Sequence, residues 1–163
     1  MSSVLVTVGS TRFDKLVDAF SSPSLLGVLT LLGYSQLTIQ YGKSLITDLS
    51  AHSGIQIETF DYKPSLREDM ERASLIISHA GSGSILEALR LNKRLIVVVN
   101  EDLMDNHQLE LGSALHQQGY LVCCNVPDLE KALKAKEYES LVPFPGPDSK
   151  RFADFLDASL GLQ

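Results

Sequence analysis

The stretch Leu75-Ile76-Ile77-Ser78-His79-Ala80-Gly81-Ser82-Gly83-Ser84-Ile85-Leu86-Glu87-Ala88-Leu89 decides the fold. It opens on an apolar run and closes on Ile85, Leu86, Ala88 and Leu89 at helical spacing. Glycines lie between, so it reads as strand, turn and helix start. The first backbone N–H groups of a helix have no intrahelical acceptor and carry the positive end of its dipole, while glycine lets an anion approach the backbone closely. The pattern predicts a phosphate seat, although glycine turns after strands also serve as plain connections. It is neither G-x-G-x-x-G nor a P-loop, because Ser-Ile-Leu follows Gly83 and no Gly-Lys-Ser/Thr comes after. Ordinary dinucleotide binding and P-loop phosphoryl transfer both lose ground.

Upstream, a strand is predicted over residues 4–8, ended by Gly9-Ser10-Thr11 and followed by the helical pattern Phe13, Leu16, Val17, Phe20. Ser22-Pro23 opens a second helix that Gly33 stops. Strands follow at 37–41 and 55–60, with helices around 45–49 and over 66–73. Downstream, the continuous apolar run 95–99 reads as a central parallel strand covered on both faces. After it come a loop to Asn106, a helix over 107–118 stopped by Gly119, a strand at 120–124 and a helix opened by Pro127-Asp128. Strands alternating with helices predict an α/β protein with a parallel, doubly wound, Rossmann-like sheet. Residues 1–142 form that domain in this reading, and the proline-rich 143–147 is a linker. The last segment, 148–163, carries Phe152, Phe155, Leu156 and Leu160 on one side of a helix too short to stand alone, so it is expected to dock on its own sheet or on a partner.

The chain has 163 residues, enough for one domain with a sizeable core. Hydrophobic residues at 44% and charged residues at 21% fit a folded protein. A net charge of −6 without a Lys/Arg run argues against nucleic acid and against a purely electrostatic lipid contact. Cys123 and Cys124 are neighbours in a predicted strand, point to opposite faces and cannot readily bridge, which fits a reducing compartment. Neither a signal peptide nor an apolar span of about 18 residues is recognisable, so a cytosolic chain is expected, attached to membrane through another protein. His52, His79, His107 and His116 show no ligand spacing, and neither a metal nor a cofactor is expected.

Ligands of open α/β sheets bind outside the carboxyl ends of the strands, so the loops Gly9-Ser10-Thr11, 79–84 and 100–108 are expected to converge on one crevice. Glu87, a turn into its helix, reads either as an acceptor for ribose hydroxyls or as a charge favoured near a helix N-terminus. His79 reads as a phosphate donor, a proton carrier or a structural residue. An Asp or Asn at 105–106 is explained as a helix cap, which leaves His107 and Gln108 without a local explanation.

The whole run from Ile77 to Gln108, HAGSGSILEALRLNKRLIVVVNEDLMDNHQ at its heart, closely resembles the catalytic subunit of the two-component N-acetylglucosaminyltransferases that add the second sugar on dolichol pyrophosphate. Val6-Thr7-Val8-Gly9-Ser10-Thr11 and Leu141-Val142-Pro143-Phe144-Pro145 extend the likeness toward both ends. More distantly, the pattern is similar to the carboxyl-terminal, nucleotide-sugar-binding half of family 28 glycosyltransferases, which are GT-B enzymes with two Rossmann-like halves and a cleft between them. The resemblance implies the donor-binding half of such an enzyme. The reaction it implies is transfer of N-acetylglucosamine from UDP-N-acetylglucosamine to N-acetylglucosaminyl-diphosphodolichol, with inversion, in the N-glycosylation pathway. It also implies a heterodimer with a membrane-anchored, acceptor-binding subunit on the cytosolic face of the endoplasmic reticulum.

Residue by residue, the resemblance gives the diphosphate to His79, Ala80, Gly81, Ser82, Gly83 and Ser84, the ribose to Glu87, and the donor sugar to Asn106, His107 and Gln108. Gly9, Ser10 and Thr11 would face the diphosphate or the acceptor. Relatives often carry a longer Gly-Gly-Ser-x-Gly loop near the start and a basic residue in place of His79. The general base is not identified; His79 and His107 are the candidates on this chain. Phe152, Phe155, Leu156 and Leu160 are the candidate partner contacts. The alternative is a non-catalytic module that binds a nucleotide sugar or a partner protein.

Overall fold

Each predicted strand is present, displaced by no more than two residues at either end. The computed structural model describes residues 2–46, 49, 54–103 and 106–145, the side chains of 103 and 106–108 excepted. The strands are β1 (Ser3–Thr7), β2 (Gln36–Gln40), β3 (Gln56–Phe60), β4 (Leu75–His79), β5 (Leu95–Val99) and β6 (Val122–Asn125). All pair in parallel, in the order β3-β2-β1-β4-β5-β6. The helices are α1 (Asp14–Ala19), α2 (Pro23–Leu31), α3 (Arg67–Arg72), α4 (Ser82–Arg90), α5 (Asn106–Gln117) and α6 (Leu129–Ala135). Two short 3-10 turns, Glu101–Leu103 and Glu137–Ser140, were not expected from the sequence.

Strand alternation divides the core into two layers. Val4, Val6, Leu75, Ile77, Ile96 and Val98 face α1, α2 and α6, while Leu5, Ile76, Leu95 and Val97 face α3, α4 and α5. The central strands β4 and β5 are covered on both faces and read as unbroken apolar runs for that reason. At the β3 edge, Ile57 alone of the strand's interior packs on the core, and Glu58 and Thr59 are exposed. On β6, Cys123 and Cys124 pack against opposite layers as free thiols.

The α5 helix ends at Gly119, whose φ of +80° lets the Gly119 and Tyr120 N–H groups return to the carbonyls of His116 and Leu115. Asn92, at φ +58°, closes α4 in the same way. The helix expected around 45–49 is not formed at Leu45 or Ile46, and 47–48 lie outside the described residues. Backbone there is used otherwise: Lys43 N–H donates to the Thr11 carbonyl and Leu45 N–H to Asp14 Oδ1. Beyond the second 3-10 turn, Val142 N–H donates to the Gly119 carbonyl, and the Phe144 ring meets Tyr120 edge-on at 5.2 Å. The segment 148–163 lies outside the described residues.

Candidate functional site

The sheet order reverses its winding between β1 and β4. Chain leaving β1 runs through α1 on one face toward β2, and chain leaving β4 runs through α4 on the other face toward β5. A crevice must open at the carboxyl ends of these two strands, where the diverging connections leave the edge of the sheet uncovered. The strands are direct neighbours, with Thr7 opposite Ser78. Gly9 lies two residues beyond β1 and His79 ends β4, so the structure brings two of the three expected loops into contact.

The contact is an imidazole between two glycines. A Cβ on Gly9 would lie 2.9 Å from His79 Nε2, and one on Gly81 would lie 2.8 Å from the same atom. Gly9 also sits at φ +63°, so its backbone and its neighbour both require glycine. His79 Nε2 is 3.4 Å from Ser84 Oγ. Burial lowers the His79 pKa from 6.5 to about 4, because the charged ring loses its hydration. The imidazole is therefore neutral at neutral pH: a group able to exchange one hydrogen bond with Ser84, and a weak proton acceptor.

Gly81 caps α4 without a side chain, and the first bond inside the helix runs from Ile85 N–H to the Gly81 carbonyl. The N–H groups of Ser82, Gly83 and Ser84 precede it and have no acceptor among the described residues. Together with the dipole, worth about half a unit charge, they form an electropositive rim at the crevice. Nothing lies within 4 Å of the position a Cβ would take on Gly83, so the space over this first turn is open. Glu87 lies one turn beyond Gly83 on the same face, half-buried, and its carboxylate has no hydrogen bond or ion pair among the described residues. Ala80 contributes backbone only, since its methyl is buried in the core beside Ile85. Ser10 is exposed, and the Thr11 hydroxyl donates to the Val8 carbonyl at 2.7 Å.

The third loop leaves β5 at Asn100, whose Oδ1 accepts from Asp102 N–H and starts the 3-10 turn. Asp102 then pairs with Lys15 of α1 at 2.8 Å across the carboxyl edge of the sheet; both are well exposed, so the pair adds little stability. Beside it, Phe13, Ala19, Val99, Val126 and Pro127 line a pocket of about 450 Å³. Backbone geometry puts Asn106, His107 and Gln108 in the first turn of α5, and their side chains lie outside the described part. The candidate partner contacts Phe152, Phe155, Leu156 and Leu160 also lie outside it. Among the described residues, no three His, Cys, Asp or Glu side chains gather as a metal site. None of the described helices is long and apolar enough to cross a membrane.

Sequence reasoning missed Gln40. Its signal was a lone amide at the carboxyl end of an apolar strand, and it proves to be a buried side chain bonded to the Gly9 loop.

A parallel sheet wound in the order 3-2-1-4-5-6, with an open helix N-terminus at its switch point, defines a Rossmann-like unit. The chain belongs to glycosyltransferase family 28, whose C-terminal domain model it matches over residues 3–158. It is 43% identical over 141 residues to the human UDP-N-acetylglucosamine transferase subunit ALG13, an alignment covering 86% of this chain and 12% of the human protein. The chain thus spans about an eighth of that relative's length. The solution structure of ALG13 superposes with a TM-score of 0.73 at 28% identity, covering 95% of this chain and 94% of that one. Acinetobacter baumannii MurG superposes with a TM-score of 0.63 at 15% identity, covering 98% of this chain and 45% of that one, a likeness of fold. MurG and the kitacinnamycin glycosyltransferase are GT-B glycosyltransferases, and this chain matches 45% and 38% of their lengths.

Proposed function

We propose that this chain is the donor-binding, catalytic subunit of an inverting transferase that moves N-acetylglucosamine from UDP-N-acetylglucosamine to N-acetylglucosaminyl-diphosphodolichol. In this reading a membrane-anchored partner holds the acceptor, and the pair works on the cytosolic face of the endoplasmic reticulum. The observation that carries the reading is the α4 N-terminus: three N–H groups without acceptors, open space over Gly83, and Glu87 one turn further on the same face. Relatives that bear the name UDP-N-acetylglucosamine transferase subunit support the donor and the need for a second component.

The chemistry follows from this seat. The donor diphosphate lies against the Ser82, Gly83 and Ser84 amides, which take up the charge that grows on it as the sugar C1–O bond breaks. Glu87 accepts from the ribose hydroxyls, and the first turn of α5 faces the sugar. An acceptor hydroxyl attacks C1 from the opposite side and gives its proton to a base. The depressed pKa of His79 disfavours it for that task, so the base falls to His107 or to the partner.

Transfer of labelled sugar to a short-chain N-acetylglucosaminyl-diphosphodolichol, by this chain with a co-expressed partner, tests the proposal. Gly81→Val, which drives a side chain into His79, and Glu87→Ala should each abolish most transfer while the chain stays folded. Unimpaired transfer by both variants would remove the site assignment. Saturable UDP-N-acetylglucosamine binding without transfer, with every partner tried, would favour the non-catalytic module.

A further inference from the structure

One buried side chain holds the loop after β1. Gln40 closes β2 and is 1% exposed. Its Oε1 accepts from the Thr7 hydroxyl at 2.5 Å and from the N–H groups of Val8 and Gly9 at 3.2 and 2.9 Å. Its Nε2 donates to the carbonyls of Gly9 and Asp61, both at 2.7 Å. Both amide protons are used, and the orientation of the amide is fixed by its partners, because turning it over would set Nε2 against two backbone donors and Oε1 against two carbonyls. Two residues on, Gly42 leaves no space for a side chain: a Cβ there would lie 2.6 Å from the Thr11 carbonyl oxygen and 2.7 Å from that of Gly9. Lys43 N–H closes the contact on the Thr11 carbonyl at 3.0 Å.

A buried amide is costly unless every bond is made, and an apolar residue would fill this position of β2 without that risk. The backbone atoms that Gln40 satisfies lie at the carboxyl ends of β1 and β3, the edge on which the crevice opens. We infer that Gln40 is a positioning residue: it sets the height of the Gly9-Ser10-Thr11 loop against His79 and the α4 N-terminus, and ties that loop to Asp61 beyond β3. Its effect on ligand affinity rests on the donor-site reading above, whereas its hold on the loop does not.

Backbone amide exchange and UDP-N-acetylglucosamine titration, both followed by NMR on the full chain well below its unfolding midpoint, test this in Gln40→Met and Thr7→Val. Gln40→Met keeps the volume and loses all five bonds; Thr7→Val loses two, the hydroxyl's donation to Gln40 Oε1 and its longer acceptance from Gly9 N–H at 3.3 Å. The expected result is at least about tenfold faster exchange at Gly9 in Gln40→Met, the worth of one or two lost buried hydrogen bonds, with less change at Val8, whose N–H keeps its bond to the residue 40 carbonyl, and with donor binding weakened at least about tenfold. Thr7→Val should move both quantities in the same direction by less. Affinity within about twofold of wild type in a folded Gln40→Met, whose unfolding midpoint alone has fallen, overturns the inference. If Gln40→Met does not fold, Thr7→Val decides by the same two readouts. A wild-type chain with no saturable response to the nucleotide sugar removes the donor reading instead; unchanged exchange at Gly9 then overturns the Gln40 inference, and faster exchange confined to that loop supports it.

Discussion

The imidazole of His79 shows how one residue can be fixed by its neighbours and tuned by them together. Glycine at 9 and 81 makes room for the ring, and the resulting burial makes the charged ring unfavourable. The folded state keeps His79 neutral down to about pH 4, whereas an unfolded chain takes up the proton near its ordinary value of 6.5. Stability is therefore full above about pH 6.5 and is lost as the pH falls toward 4, by up to about 3 kcal/mol. Asp14 and Glu130, whose carboxyls are held below their ordinary range by hydrogen bonds to Arg12 and Ser24, act only at lower pH. Urea unfolding at about pH 7.5 and about pH 4.5 should show a drop of about 2–3 kcal/mol in wild type that is largely missing in His79→Gln. Equal slopes in the two chains would show that the ring is not shielded as described.

At the scale of elements, the position of α5 depends on a close approach to the sheet. Gly112 lies inside the helix, and a Cβ there would stand 3.0 Å from Cys123 Sγ and 3.8 Å from Val97 Cγ1. The Cys123 N–H also donates to His116 Nδ1 at 3.0 Å, pinning the last turn of the helix to β6. An alanine in a helix interior gains about 1 kcal/mol over glycine, and here that gain is opposed by the thiol. Gly112→Ala is expected to be neutral or destabilising in wild type and stabilising by about 1 kcal/mol once Cys123→Ala has removed the sulfur. A urea double-mutant cycle measures the coupling, expected to exceed about 0.5 kcal/mol; additive effects would mean that the helix is not held at this distance. Since α5 begins at Asn106, whatever sets its distance from the sheet also sets the first turn assigned to the donor sugar.

For the molecule as a whole, both core layers run no further than Phe144 among the described residues, and the crevice lies at the carboxyl edge of the sheet. That arrangement suits a unit completed by a second protein. Deleting residues 148–163 should leave cooperative unfolding and the nucleotide-sugar response of the Ser82–Ser84 amides intact, while abolishing co-purification with the partner. A truncated chain that retains the partner would return those residues to their own domain.

Periodicity and glycine placement were enough to fix the element order, because central parallel strands buried on both faces must be continuously apolar and helices must stop where a residue takes φ above zero. They also marked His79–Ser84 as a turn from strand to helix, which is where β4 ends and α4 begins. By contrast, the 45–49 helix was wrongly expected from local pattern at Leu45 and Ile46, where hydrogen bonds to Thr11 and Asp14, distant in sequence, claim the backbone. Gln40 was illegible for the same reason: its role exists only because parallel pairing lays the ends of β1, β2 and β3 side by side. The sequence by itself determined the six strands, the α-helices between them and the glycine turn, though not the 45–49 segment or the two 3-10 turns, since the former depend mainly on neighbours along the chain. Only the tertiary structure decided that His79 would be neutral between two glycines and that Gln40 would hold the opposing loop, because burial and hydrogen-bond partners are set by residues far apart in the chain.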